Sequence, residues 1–515
     1  MFNHSHYYLK ISTLFITLFL LTNQLVGNNV RISNLSYGEK NLTEKSLIVN
    51  LTLEWDNSWK VTSGPANWDA VWVFAKFRDN NGQWKHVKFN YDIDMNHGHT
   101  ELNDKATIDL SNDDGLGNAH GLFIHSKTDI TQQSVLYDLG LKWNYGASGM
   151  TNDDTLNIRF FAIEMVYVPE APFELGSTGG ENGHFYKFNG TNTTDSYTVS
   201  NEDEISIGNT VGDLWYDIID STSLYKQGDQ LGPVPAEFPK GYNAFYCMKY
   251  EITQGQFAGL LSSIDGSLAD SLLIRKVKVR NNITTVDDSV FTAAEPYIPV
   301  QYLSWKGLAS FLDWAALRPF TELEFEKACR GTAAPVANEY VWGNNNIIQD
   351  TTLKYSFTNE GTNNEQVASN FSNSNGNAIY KITTITNQRT PYRYGILSAY
   401  PVSGSSSITR VEAGATFYGI MEMGGNVEER VITVGRPQGR AYTGLHGDGE
   451  LDANGRANVS FWPDNTDAIG VGIKGSAYNK NKGRMRISNR VSAAFTIKGE
   501  KAHIGGRGCR TAPSN

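Results

Sequence analysis

The stretch at 300–331, "VQYLSWKGLASFLDWAALRPFTELEFEKACRG", decides how the chain is read, because it carries two helix signals close together. In "SWKGLASFLDWAAL" the residues Leu308, Phe311, Leu312 and Ala315 recur at the spacing of one helical face. Thr321 with Glu324 forms a capping box, which predicts a second helix opening at 321. The pair Thr253 and Gln256 predicts another helix over "TQGQFAGLLSSI" by the same logic. Upstream the texture differs. From 28 to 160 aromatic-rich or alternating runs such as "SLIVNLTLEW", "AVWVFAKF", "QWKHVKFNY" and "LNIRFFAIEMVYV" are separated by Asn, Asp and Gly turns. That pattern predicts a β-sandwich, with hairpin punctuation at Asn80-Asn81-Gly82. After 331 little periodicity survives, so the expected class is α+β: a sandwich over 28–160, then a mixed domain over 161–515 with short strands and long loops.

The chain has 515 residues, enough for two cores. Aromatic residues make up 12% and charged residues 19%, which argues for ordinary globular folding rather than disorder. The net charge of −10 opposes phosphate binding, so nucleic acid is not an expected partner. Residues 1–27 read as an export signal, in which Lys10 precedes the apolar run "ISTLFITLFLLTNQLVG" ending at Gly27. The run is broken by Thr22, Asn23 and Gln24. The chain is therefore expected not to span a membrane after signal cleavage, and to be secreted, periplasmic or on a bacterial cell surface. The three cysteines, Cys247, Cys329 and Cys509, are too few for a disulfide scaffold and are expected to be small buried apolar residues.

Five segments in order resemble the formylglycine-generating enzyme (sulfatase-modifying factor) family: "EMVYVPEAPFELGS" at 163–177, "FYCMKYEITQGQFAGLL" at 245–261, the stretch at 300–331, "EYVWGN" at 339–344 and "GIMEMGGNVEER" at 419–430. The closing "GRGCRTAP" is similar to the end of such chains. The resemblance implies a compact fold related to C-type lectins and, where the catalytic residues are present, a copper-dependent oxidase that turns a sulfatase cysteine into formylglycine. The family holds copper through two cysteines separated by four residues, just after a Gly-Gly-Ser-aromatic segment. Here the matching segment is Gly475-Ser476-Ala477-Tyr478. The first thiol position is Asn479, and the second falls within Lys482–Arg484. Neither copper nor iron is therefore expected, and the chain reads as a pseudoenzyme lacking the catalytic pair. The family's iron-dependent branch uses a three-histidine helical domain, which is absent from this sequence. His97 and His99, with Asp92 and Asp94 nearby, read as a polar surface turn.

The resemblance also implies structural calcium on "MEMGGNVEER", held by Glu422, the backbone carbonyls of Gly425 and Val427, and Glu429; oxygen ligands from one irregular loop suit that ion. This chain departs from the pattern there: Glu422 replaces the usual Asp or Asn, and Glu428 and Arg430 replace two tryptophans. A second calcium site would start at Asn370 and Phe371, but its downstream acid is missing. Asp448, Glu450, Asp452 and Asn454 in "HGDGELDANGR" read as a turn rather than an ion loop.

The basic stretch "KGSAYNKNKGRMRISNR" (474–490) thus occupies the place of the catalytic cysteines. Arg490 reads as structural, while Asn479, Lys480, Lys482 and Arg484 are candidate binding residues for a surface glycan, a protein or a second copy of the chain, giving a homo-oligomer. Three functions stay open. One is a non-catalytic protein acting in binding or extracellular assembly. Another is an oxidoreductase of the same family with a non-standard site. The last is a lectin-like protein with a variable ligand-binding segment. Glu322, Glu324 and Glu326 fit catalytic acids and the solvated face of a helix equally well.

Overall fold

The long N-terminal strands are β1 (Arg31–Asn41), β2 (Ser46–Lys60), β3 (Asp69–Arg78), β4 (Leu122–Ser126), β5 (Ile130–Trp143) and β6 (Ile158–Val168). They come from a computed structural model that describes residues 30–92, 97–219, 226–275, 280–287, 289–348, 355–360, 362, 365–372, 374–381, 390–398 and 408–513. The export signal expected at 1–27 and Asp94 lie outside the described residues. β1, β2 and β5 run antiparallel in one sheet, with Leu139 opposite Leu51 and Leu141 opposite Val49. β6, β3 and β4 are consecutive in a second sheet.

The remaining elements used below are β7 (Phe245–Met248), α1 (Gln254–Leu261), α2 (Trp305–Trp314), α3 (Glu322–Arg330), β8 (Glu429–Ile432), β9 (Val471–Lys474) and β10 (Cys509–Thr511). β7 pairs with β6, placing Met165 opposite Met248, and β10 pairs with β7, placing Cys247 opposite Cys509. The second sheet therefore runs without a break from the C-terminal strand through β6 into the N-terminal strands. The 160/161 boundary expected from sequence texture falls inside β6.

Alternation along β3 explains why this sheet sits in the middle of the molecule. Val71, Val73, Ala75 and Phe77 enter a core with Leu51, Leu53 and Trp55 of β2. Ala70, Trp72 and Phe74 enter another core with Leu308, Phe311 and Trp314 of α2. A strand buried on both faces must be apolar throughout, which is the reading of "AVWVFAKF". The layers are sheet, sheet and helices. Among the described residues no helix is long and apolar enough to cross a membrane.

The expected caps form. Thr253 and Gln256 close the capping box of α1, and Thr321 and Glu324 that of α3. The solvated face expected for α3 does not exist: Glu322, Glu324 and Glu326 are each at most 1% exposed. Their carboxylates stay inside because each meets a buried cation. Arg490 lies 2.7 Å from Glu322, Arg318 lies 2.6 Å from Glu324, and Lys474 lies 3.3 Å from Glu326.

Candidate functional site

β8 and β9 pair antiparallel, with Glu429 opposite Lys474 and Ile432 opposite Val471. The loop that enters β8, 419–428, and the segment that leaves β9, 475–490, therefore meet at one end of this pair. Gly425 N donates to Gly475 O at 2.8 Å, and Tyr478 N donates to Asn426 O at 2.9 Å. Gly475 has φ +91, and a Cβ there would lie 2.7 Å from Glu429 Oε2 and 2.8 Å from Met423 O. Only glycine lets the two segments approach so closely. The loop in which calcium is expected and the segment in which binding is expected thus lie side by side.

Two residues that sequence reasoning missed hold this loop. Glu251, just after β7, accepts from Val427 N at 2.9 Å and from Asn426 Nδ2 at 2.7 Å. Arg507 donates through Nε to Glu429 Oε1 at 2.7 Å, and through its other nitrogens to the carbonyls of Met248, Lys249 and Met421. A lone acid in the apolar run "FYCMKYEI" and an arginine between glycines in "GRGCR" were the available signals.

Glu422 and Glu429 are buried and share one feature. Glu422 Oε1 accepts from Gly395 N at 2.8 Å, and Glu429 Oε1 is taken by Arg507, but among the described residues Oε2 of each has no hydrogen-bond partner. Burial pushes both carboxyls up to about 7, and for Glu422 the nearby charge of Glu429 adds to the rise. Gly425 has φ +94 and Val427 is fully buried beside Gly505. Asn370 (φ +67) follows the strand Gln366–Ser369, and Phe371 packs on the cluster that contains Ala477 and Tyr478. The weaker candidate pair thus lies on the same side of the fold as the basic segment.

The cations of 474–490 separate into two groups. Lys474 and Arg490 are buried, and Arg490 also lies 3.9 Å from the Phe185 ring centre. Arg484 pairs with Glu428 at 3.4 Å, and His503 Nε2 lies 3.3 Å from the other oxygen of Glu428. Asn479 is exposed, and Lys480 and Lys482 are half-buried. Lys474, which is not one of the candidate binding residues, is neutralised in the interior by Glu326. The cysteines are all free, buried thiols, none of them at 479–484. Burial raises Cys247 to about 12, so at neutral pH it is a protonated core residue.

The other candidates have structural roles. The backbone of "HGDGELDANGR" and of Asn458 just beyond it wraps Asp313, whose carboxylate accepts from Asp448 N and Asn458 N at 3.1 Å each. Both ring nitrogens of His99 are engaged, with Asn90 O at 2.9 Å and Lys142 N at 3.0 Å. Among the described residues no group of three or more His, Cys, Asp or Glu side chains is placed to hold a metal.

A family model for the sulfatase-modifying factor enzyme 1-like domain matches residues 164–512, beginning inside β6 and ending just past β10. No curated protein matches the chain. With well over half of its length matched and the five segments gathered around one core, the chain belongs to the formylglycine-generating enzyme (sulfatase-modifying factor) family.

Proposed function

We propose that this protein is an exported, non-catalytic member of its family that uses the surface around Asn479, Lys480 and Lys482 for binding or extracellular assembly. The observation that carries this reading is the content of the catalytic segment. Where a thiolate pair would hold a soft cuprous ion stand Asn479 and the run Lys482–Arg484, with Arg484 engaged by Glu428. A partly desolvated cation is a poor neighbour for a metal, and amide oxygen is a poor ligand for copper.

Calcium fits the loop on a separate ground. The two unpartnered, buried oxygens of Glu422 and Glu429 are what a hard cation would satisfy, with backbone carbonyls of Gly425 and Val427 completing the shell. The ion's contribution would be structural, neutralising the two carboxylates so that both stay ionised beside the basic segment. Glu429, Arg507 and Glu251 would orient the loop around it.

Metal analysis of purified protein, combined with oxygen uptake on a cysteine-containing peptide, tests the reading. Bound calcium without oxygen uptake supports it. Near-stoichiometric copper or iron with peptide-dependent oxygen consumption replaces it with an oxidoreductase using a non-standard site.

A further inference from the structure

A cavity of about 540 Å³ opens between the end of β2 and the loop 408–421, away from the segment 474–490. Its volume is in the range that holds a small organic molecule. Tyr250, Phe417 and Met421 form apolar walls, and Trp59 lines the N-terminal side. Asn67 Nδ2 donates to Tyr418 O at 2.7 Å, which ties the two halves of the lining together.

The charge of this lining is unusual for a chain of net −10. Among the described residues it contains Lys249 and Arg410 and no carboxylate. Lys249 is already balanced from behind, 3.3 Å from Glu164 and 3.7 Å from Asp69. Arg410 is not. Its Nη1 donates to the carbonyls of Trp342 and Ala415, at 3.1 and 3.0 Å. Arg410 is exposed at the mouth of the cavity, and among the described residues no carboxylate pairs with it. Deeper in, Tyr418 is 2% exposed and its hydroxyl has no hydrogen-bond partner among the described residues. An unmet buried hydroxyl carries a desolvation cost, which a hydrogen-bonding ligand group would recover.

We propose that this cavity binds a small organic anion, with its carboxylate on the Arg410 guanidinium, its apolar body against Tyr250, Phe417 and Met421, and a polar group meeting the Tyr418 hydroxyl. The site is separate from the family's catalytic segment and does not depend on whether that segment binds or reacts.

Indole-3-acetate and its neutral counterpart tryptophol, titrated calorimetrically into the full chain, test the assignment. The acid is expected to saturate one site and to bind about tenfold more tightly than the alcohol, the worth of one charge-assisted contact. Arg410→Gln should abolish that difference, and Tyr418→Phe should weaken the acid several-fold. Thr409→Trp, at the exposed rim, should block both ligands; if that variant loses its native melting transition, Ser398→Trp takes its place. Equal affinity for acid and alcohol, no saturable binding of either, or binding that survives the blocking variant would overturn the proposal.

Discussion

Arg484 Nη1 lies 3.4 Å from Oε1 of Glu428, joining the segment that leaves β9 to the loop that enters β8. The resemblance puts the second catalytic cysteine within Lys482–Arg484 and a tryptophan at the position of Glu428. Glu428 is nearly fully buried, so its carboxylate needs the cation, and the neutral imidazole of His503 supplies a weaker second contact. Arg484→Gln should therefore destabilise by about 1–3 kcal/mol, because it strands a buried charge. Adding Glu428→Gln should recover most of that loss. Urea unfolding of the two single variants and the double variant measures the coupling; strict additivity would show that the contact has no energetic content.

The two kinds of cation in 474–490 should respond very differently to substitution. Arg490→Ala breaks a buried pair with Glu322 and should cost about 3–5 kcal/mol. Lys480→Ser and Lys482→Ser should change stability by no more than about 0.5 kcal/mol. If these two lysines act in binding, their combined replacement should lower assembly or surface attachment at an unchanged melting temperature. Sedimentation and thermal melting separate the two effects.

Stability should fall as pH rises toward neutrality in the presence of a chelator. Glu422, Glu429 and Asp313 all have folded-state values pushed up to about 7, against ordinary values of 4.5, 4.5 and 3.8. Between about 4 and 7 the folded state then binds more protons than the unfolded state, so the unfolding free energy declines across that window and levels off above it. Glu422→Gln should flatten the slope. A melting temperature that rises from pH 5 to pH 7.5 in chelator would contradict the burial of these groups.

Calcium should reverse that loss, since the ion competes with protons for the same oxygens. At a free concentration a hundredfold above its dissociation constant, calcium should add about 2.7 kcal/mol. The gain should be larger at pH 8 than at pH 5. Glu429→Gln should remove most of the calcium response, and magnesium should not substitute for it. Melting curves with and without chelator read the effect directly.

Removing residues 30–157 should leave a fragment that does not fold alone. β6 would lose its partner β3, along which Ile163 faces Trp72 and Phe161 faces Phe74. Phe161, Ile163 and Met165 would then expose part of the helix-side core to water, each residue worth about 1.5–3 kcal/mol when buried. Expression of 158–513, which keeps β6 whole, as a soluble, cooperatively melting protein would show that the shared sheet is dispensable.

Local chemistry was legible from the sequence because it lives within a few residues. The capping boxes at Thr253 and Thr321, the doubly buried strand in "AVWVFAKF", the order of the five family segments and the absence of thiols at 479 and 482–484 all follow from adjacent side chains. Only the tertiary structure decided which charges face water. Glu322, Glu324 and Glu326 look like a solvated helix face because their partners Arg490, Arg318 and Lys474 include residues roughly 150 positions away. A carboxylate alone in sequence is hydrophilic, whereas the same carboxylate paired to a buried cation belongs to the core. Glu251 and Arg507 were missed for the same reason, since their roles consist of contacts to a loop distant in the chain. The shared sheet likewise could not be seen in the change of texture near 160, because strand pairing is set by the spatial return of β7 and β10 to β6.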